Sequence, residues 1–299
     1  MNTSLAAGPR SLPVDPTDSR LLGALPAADL QRWLPHLEPV SLPAGTLLPR
    51  GRQSPGHVYF PTTASISIMH TTCEGDSLEI VAIGNEGLVG LRAIMGGGSA
   101  LDSAEVRVGG EGYRVRKDWV HSEFHHSAAV MGLLLRYTQT LMTHTAQSAV
   151  CNTHHSLEQR LCRCLLGTVD RSRDASMNLT HESLSYMLGV RREGVTSVAG
   201  KLQRAGEIDY HRGRMTVVDC PALEARSCDC YRVVKAEYDH LLPASASFGP
   251  RTHWKSVVPP AAPAPWAHAR HLAHPAHPAH PAHLGLHHRT HADAAVMAR

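Results

Sequence analysis

The chain has 299 residues, with 29 Lys and Arg against 26 Asp and Glu, a formal net charge of +3 and 42% hydrophobic residues. That length accommodates two domains plus extra segments around a sizeable core. No run is long and apolar enough to span a membrane, and the seven cysteines do not form the framework of a small disulfide-stapled scaffold in a chain of this size.

Met1–Pro9 lacks the basic start and apolar stretch of a secretory signal, so a cytoplasmic protein with reduced thiols is expected. Residues 1–18 read as a disordered leader. From Leu42 to Trp119, short strands alternate with Gly, Pro and Asp; Val58-Tyr59-Phe60, Ile66–Met69, Leu78–Ile83, Val106–Val108 and Tyr113–Val115 are the clearest. Half-buried strands with frequent turns predict a sandwich or jelly roll, within a domain spanning residues 19–119. The glycine-rich stretch Gly84–Gly98 reads either as a phosphate-cradling loop or as a plain strand connection.

Val120–Asn152 is rich in helix formers and lacks proline. Met131, Leu134, Leu135, Leu141, Met142 and Ala149 recur at steps of three and four. This apolar surface is wider than one core stripe needs, so one face can pack on the chain's own barrel and the other on a twin helix.

Residues 153–242 read as a winged helix-turn-helix. Thr180 can cap a first helix carrying Leu184, Met187 and Leu188 on one face. Gly189 provides the turn. A second helix turns Val195, Val198, Ala199 and Leu202 inward and offers Arg191, Arg192, Glu193, Thr196 and Ser197 outward, and Gly206 ends it. Ile208 and Tyr210, then Met215 and Val217, alternate about Arg212-Gly213 as a small hairpin, with Arg212 and Arg214 flanking the turn. Arginine pairs with guanine through two hydrogen bonds and glutamate accepts from cytosine N4, whereas phosphate contacts position without specifying. Positive charge is concentrated in Arg191–Arg214, the local density that a DNA footprint requires. Thr180, Arg191, Arg192, Glu193, Thr196, Ser197, Arg212 and Arg214 are therefore the candidate DNA contacts.

Cys162-Arg163-Cys164 and Cys228-Asp229-Cys230 invite a metal or cluster reading. Neither has the two-residue gap usual at such sites, and buried thiols without a ligating role are the expectation, so the metal set is empty. Beyond Pro243, Pro259–Pro265 is a Pro/Ala linker and His274–His283 repeats a His-Pro-Ala unit. Residues 243–299 are expected to be disordered or polyproline-like, with histidines able to hold Ni²⁺, Cu²⁺ or Zn²⁺ weakly or to serve no role.

The segment from about Leu157 to Tyr238 resembles the DNA-binding domain of the Crp/Fnr superfamily of bacterial transcription regulators. Leu179-Thr180-His181-Glu182, Leu188-Gly189-Val190-Arg191-Arg192-Glu193, Tyr210-His211-Arg212-Gly213 and Cys228-Asp229-Cys230-Tyr231 carry the resemblance. It implies an α+β chain with an N-terminal cyclic-nucleotide-binding-like β jelly roll, a long central dimerisation helix over residues 120–152 and a C-terminal winged helix-turn-helix. It implies base reading by Arg192 and Glu193; where the best-known members place a third base-reading arginine, this chain has Ser197. Their Gly-Glu pair for ribose is matched by Leu88-Val89 after Gly87, and their arginine pair for phosphate by Asp102-Ser103 before Ala104. Aspartate repels a phosphate, so cyclic AMP is not the expected ligand. The implied partners are double-stranded DNA and a second copy of the chain, with RNA polymerase a further candidate, an unnamed small-molecule effector and no membrane. No cofactor is expected. The competing classes are a metal-binding protein built on the histidine tail and an enzyme; no nucleophile–base set, Walker loop or HExxH motif supports the latter.

Overall fold

A computed structural model describes residues 15–49, 56–74, 77–95, 102–171 and 176–242. The expected disorder of residues 1–14 and of the tail from 243 lies outside the described residues. Residues placed in the leader already carry structure, because Pro16–Asp18 forms a 3₁₀ turn capped by the Asp15 carboxylate. Two short helices follow, α1 (Arg20–Gly23) and α2 (Ala27–Trp33).

The strands β1 (Glu38–Leu42), β2 (Leu47–Leu48), β3 (His57–Pro61), β4 (Ser65–Thr71) and β5 (Ser77–Ile83) lead to the short helix α3 (Leu91–Ile94), then to β6 (Asp102–Val108) and β7 (Gly110–Arg116). They form two antiparallel sheets, ordered β1-β7-β3 and β2-β6-β4-β5. Leu42, Leu48, Tyr59, Ile66, Ile68, Val81, Ile83, Ala104 and Val106, drawn from both sheets, bury one another as the barrel core. Other side chains of the first sheet, Val58, Phe60, Tyr113 and Val115, pack on helices instead, with Trp33 edge-on to Phe60 at 5.9 Å between ring centroids.

The central helix is not continuous. It divides into α4 (Lys117–His126) and α5 (Ala128–His154), with Ser127 in extended conformation capping α5 through Val130 N–H. A serine preceding two alanines is a helix-start signal even inside a helix-forming stretch. Beyond α5 lie α6 (Leu157–Arg171), β8 (Ser176–Asn178), α7 (His181–Leu188), α8 (Arg192–Arg204), β9 (Ile208–His211), β10 (Arg214–Val217), α9 (Cys220–Arg226) and α10 (Cys230–Leu241). The third sheet is ordered β8-β10-β9, so the expected hairpin gains a strand.

Three contacts tie the helices α5, α6 and α10 to α1 and the barrel. Arg20 Nη2 donates to the carbonyls of Leu242 (3.0 Å) and Tyr238 (3.3 Å), taking up acceptors at the free end of α10. The Tyr137 hydroxyl of α5 donates to Leu88 O at 2.9 Å. Arg171 Nε, at the end of α6, donates to Glu86 Oε1 at 2.7 Å in a mostly buried pair. Among the described residues no helix is long and apolar enough to cross a membrane.

Candidate nucleic-acid interface

Local chemistry fixes the helix pair. Thr180 Oγ1 accepts from Ser183 N–H at 3.0 Å, and Ser183 Oγ accepts from Thr180 N–H at 3.0 Å, a reciprocal capping box at the start of α7. Gly189 ends α7 in the left-handed region at φ +60°, and a β-carbon there would also meet Leu78 of β5 at 2.7 Å. The left-handed turn is what calls for glycine, and a larger residue would also have to displace the Leu78 methyl. Arg160 donates to the carbonyl of Leu188, one of the orphan acceptors of that last turn.

Val195, Val198, Ala199 and Leu202 are buried, so α8 is held along one face. Arg191, Arg192, Glu193, Thr196 and Ser197 are exposed at its opposite, N-terminal end. Arg191 is the N-cap residue and makes no side-chain cap bond, so the first-turn N–H groups of α8 lack that protein partner. Between β9 and β10, Arg212 and Gly213 turn the hairpin at φ +49° and +81°. Both central residues in the left-handed region give the turn type whose twist matches the flanking strands. Arg212 is the one non-glycine at positive φ among the described residues, a conformation that costs on the order of 1–3 kcal/mol. The turn therefore presents a guanidinium where asparagine or glycine would sit more comfortably. Arg214 is exposed and donates to Ser176 Oγ of β8. Thr180 is exposed as well, with its hydroxyl used in the cap.

All eight candidate contacts thus lie on α8, at the cap of α7 or at the wing, and all are exposed. The sequence reading missed what locks these pieces together. The His181 ring stacks on Tyr210 of β9 (centroids 4.2 Å apart, 18° between planes), and its Nδ1 lies 3.0 Å from Thr196 Oγ1. The Thr196 hydroxyl donates its single proton to Arg192 O at 3.0 Å, so it must accept from His181 Nδ1–H. That bond places a proton on Nδ1. Burial, then the positive Arg192, lowers the His181 pKa. One imidazole therefore ties the first helix, the recognition helix and the wing. Nothing local in the sequence marks it, since its partners are 15 and 29 residues away.

At the position that the resemblance sets against the ribose-binding pair, Leu88 and Val89 are buried at 1% and 2% exposure. Leu88 serves the helix-facing core and Val89 the barrel core. Val89 also exchanges two backbone hydrogen bonds with Tyr59, at 2.8 and 2.9 Å. These are packing positions, not polar groups facing a ligand.

The cysteine pairs behave differently from one another. Cys162 and Cys164 of α6 join no potential ligand group among the described residues, and burial pushes both thiols up to about 12. Cys228 and Cys230 converge with Cys151 and His155, residues that the sequence reading did not select.

Residues 159–226 match the Crp-like helix-turn-helix domain family. Curated proteins give no match. Among solved structures, a regulator assigned to the Crp/Fnr family from Eubacterium rectale superposes with a TM-score of 0.55 at 18% identity, covering 71% of this chain and 97% of that one. FixK2 from Bradyrhizobium japonicum gives 0.55 at 15% identity, over 64% of this chain and 98% of that one. A Crp/Fnr-family transcriptional regulator from Thermus thermophilus gives 0.52 at 20% identity, over 64% and 98%. These structures share the fold, and the helix-turn-helix carries the sequence match. Residues 159–226 thus belong to the Crp-like helix-turn-helix domain family, and the chain shares its fold with these Crp/Fnr-family structures.

Proposed function

We propose that the chain binds a pseudo-palindromic operator in double-stranded DNA as a homodimer, in the cytoplasm, without using cyclic AMP. The observation that carries this reading is the exposed cluster of Arg191, Arg192, Glu193, Thr196 and Ser197 on a helix whose opposite face is buried. Arg192 and Glu193 read base edges in the major groove, Arg191, Thr196 and Ser197 support them, and Thr180, Arg212 and Arg214 contact the backbone. With Ser197 in place of a third arginine, this half-site reads fewer guanines than an arginine at that position would.

The second copy docks along α5. Met131, Leu135 and Met142 are 39%, 50% and 69% exposed and follow one another at steps of four and seven, a single helical stripe left open by the other described residues. A two-fold axis along that stripe places two recognition helices on successive turns of one groove. Independence from cyclic AMP is supported by the buried, apolar Leu88 and Val89. RNA polymerase is a further partner under this reading, and any small-molecule effector is a ligand other than cyclic AMP.

Selection of bound duplexes from a random library tests the proposal. The expected result is two inverted half-sites separated by about one helical turn, 10–10.5 base pairs centre to centre. A single unrepeated site, or no enriched sequence, contradicts it.

A further inference from the structure

Where α5 ends, four side chains from distant parts of the chain meet. Cys151 lies in the last turn of α5 and His155 caps its end; Cys228 lies in the loop after α9 and Cys230 opens α10. Their ligand atoms all lie within 4.8 Å of one another. Cys151 Sγ is 3.5 Å from Cys228 Sγ, and Cys230 Sγ is 3.4 Å from His155 Nδ1. The three cysteines are 0%, 4% and 1% exposed and His155 is half-buried.

Ordinary core packing does not account for this group. The three thiols form a cluster of their own, separate from the apolar cores. A thiol is a weak donor and acceptor, so three of them gathered with an imidazole gain little from one another. A disulfide does not account for it either: the sulfurs are 3.5 Å apart rather than about 2.05 Å, and any pairing leaves a thiol and the histidine over.

A single tetrahedral ion does. Bond lengths of about 2.3 Å to sulfur and 2.0–2.1 Å to nitrogen place ligands about 3.8 Å apart for two sulfurs and about 3.6 Å for sulfur and nitrogen. The Cys151–Cys228 and Cys230–His155 separations are within a few tenths of an ångström of those edges, and every other pair lies within 4.8 Å, close enough for a small inward shift to close the shell. We infer that Cys151, His155, Cys228 and Cys230 bind one Zn²⁺ ion in a closed Cys₃His site that ties the end of α5 to α10. The compact spacing suits one ion, not a polynuclear cluster.

The surroundings agree. Binding converts three thiols to thiolates and releases three protons, leaving the assembled site with one net negative charge, since 2 − 3 = −1. Arg163 and Arg160 of α6 both interact electrostatically with Cys151 and supply positive charge beside it. Gln147 Nε2 donates to Cys230 Sγ at 3.0 Å, the kind of outer bond that orients a ligating thiolate. The spacing is workable although it lacks the usual two-residue gap. Cys151 and His155, four apart, share one helix face, while Cys228 precedes α10 and Cys230 begins it, so the chain redirects between them. The four groups bracket the point where α5 hands over to α6 at Leu157, so the ion fixes the junction between the proposed dimer helix and the DNA-binding elements.

The test must see sulfur, because any ion held by the histidine-rich tail, which has no cysteine, would be bound through nitrogen. The full chain, reduced and stripped of metal, is titrated with Co²⁺ and followed by absorption. The expected result is thiolate-to-cobalt charge transfer in the near ultraviolet and intense tetrahedral ligand-field bands in the visible. Both should saturate at one thiolate-bound ion per chain and disappear when Zn²⁺ is added. Cys228→Ser and Cys230→Ser should each lose most of the charge-transfer intensity, and Cys220→Ser should leave it unchanged. His155→Ala keeps the buried cysteines and should shift the visible bands while retaining charge transfer, so it serves if a serine variant fails to fold. Absence of charge transfer in the full chain overturns the inference, as does a spectrum that His155→Ala or Cys228→Ser leaves unaltered.

Discussion

Replacing Arg171 with methionine removes the clasp between α6 and the turn after β5. The Arg171 and Glu86 side chains are only 12% and 10% exposed, and their Nε–Oε1 distance is 2.7 Å. Arg171 Nη1 also donates to Gly167 O at 2.7 Å, which holds the guanidinium on the end of its own helix. Methionine keeps most of the apolar stem but leaves the Glu86 carboxylate with the Gly84 N–H at 3.2 Å as its remaining hydrogen bond among the described residues. Removing one partner of a buried ion pair costs about 3–5 kcal/mol, because the other charge stays buried and unpaired. At about 2–4 °C per kcal/mol for a chain of this class, the thermal midpoint should fall by about 6–20 °C. Adding Glu86→Gln removes that charge, and the double variant should recover much of the loss, since replacing both members of such a pair is often neutral. A urea-denaturation double-mutant cycle measures the coupling. A loss below about 1 kcal/mol for Arg171→Met, or single effects that simply add, would refute the reasoning.

Three further outcomes follow from the same structure. Burial, then Arg171 and Arg163, holds the His144 pKa well below its ordinary value, with Nδ1 3.3 Å from the Tyr238 hydroxyl. Below about pH 6.5 the unfolded chain binds this proton and the folded chain does not, so stability falls as pH falls, by up to about 1.4 kcal/mol per pH unit; urea midpoints from pH 7.5 to 5 should show a shallower slope in His144→Gln, and an identical slope counts against the assignment. Leu242 is fully buried and its carbonyl accepts from Arg20, so truncation after Leu242 should preserve the thermal midpoint and DNA binding while removing most affinity for immobilised nickel at neutral pH; a lowered midpoint would place the tail within the fold. Calorimetric titration with cyclic AMP should give no saturable heat at micromolar affinity, about −8 kcal/mol, and a heat abolished by substitutions in Gly84–Gly90 would reverse that reading.

What was legible in the sequence was local. The Thr180 cap, the Gly189 turn and the Arg212-Gly213 hairpin each depend on a few neighbouring residues, and the structure forms them where the sequence places them. The break at Ser127 was missed because helix formers continue on both sides and a single capping serine is a weak interruption. The helices α1 and α2 were missed because they are short and are held by tertiary contacts: Leu21, Leu22 and Trp33 join the core shared with α5 and α10. The strand β8 was missed because three residues show no period and its pairing partner lies 36–40 residues on. The same distance problem hid the His181–Tyr210 stack and the meeting of Cys151 and His155 with Cys228 and Cys230, which lie 77 and 75 residues apart along the two contacting pairs. Sequence spacing reports ligand sets only when the chain itself brings the ligands together, and here the fold does so.

Fluorescence anisotropy with Arg192→Ala and Arg214→Ala, on the selected operator and on a random duplex at matched salt, tests the central claim most directly. Arg192→Ala should lose about 1–3 kcal/mol on the operator, relax preference at one base pair per half-site and change little on the random duplex. Arg214→Ala should weaken both duplexes to a similar extent and reduce the salt dependence. Two variants that behave alike on both duplexes would contradict the division of Arg192 to base reading and Arg214 to the backbone, and with it the account of α8 as the element that reads sequence.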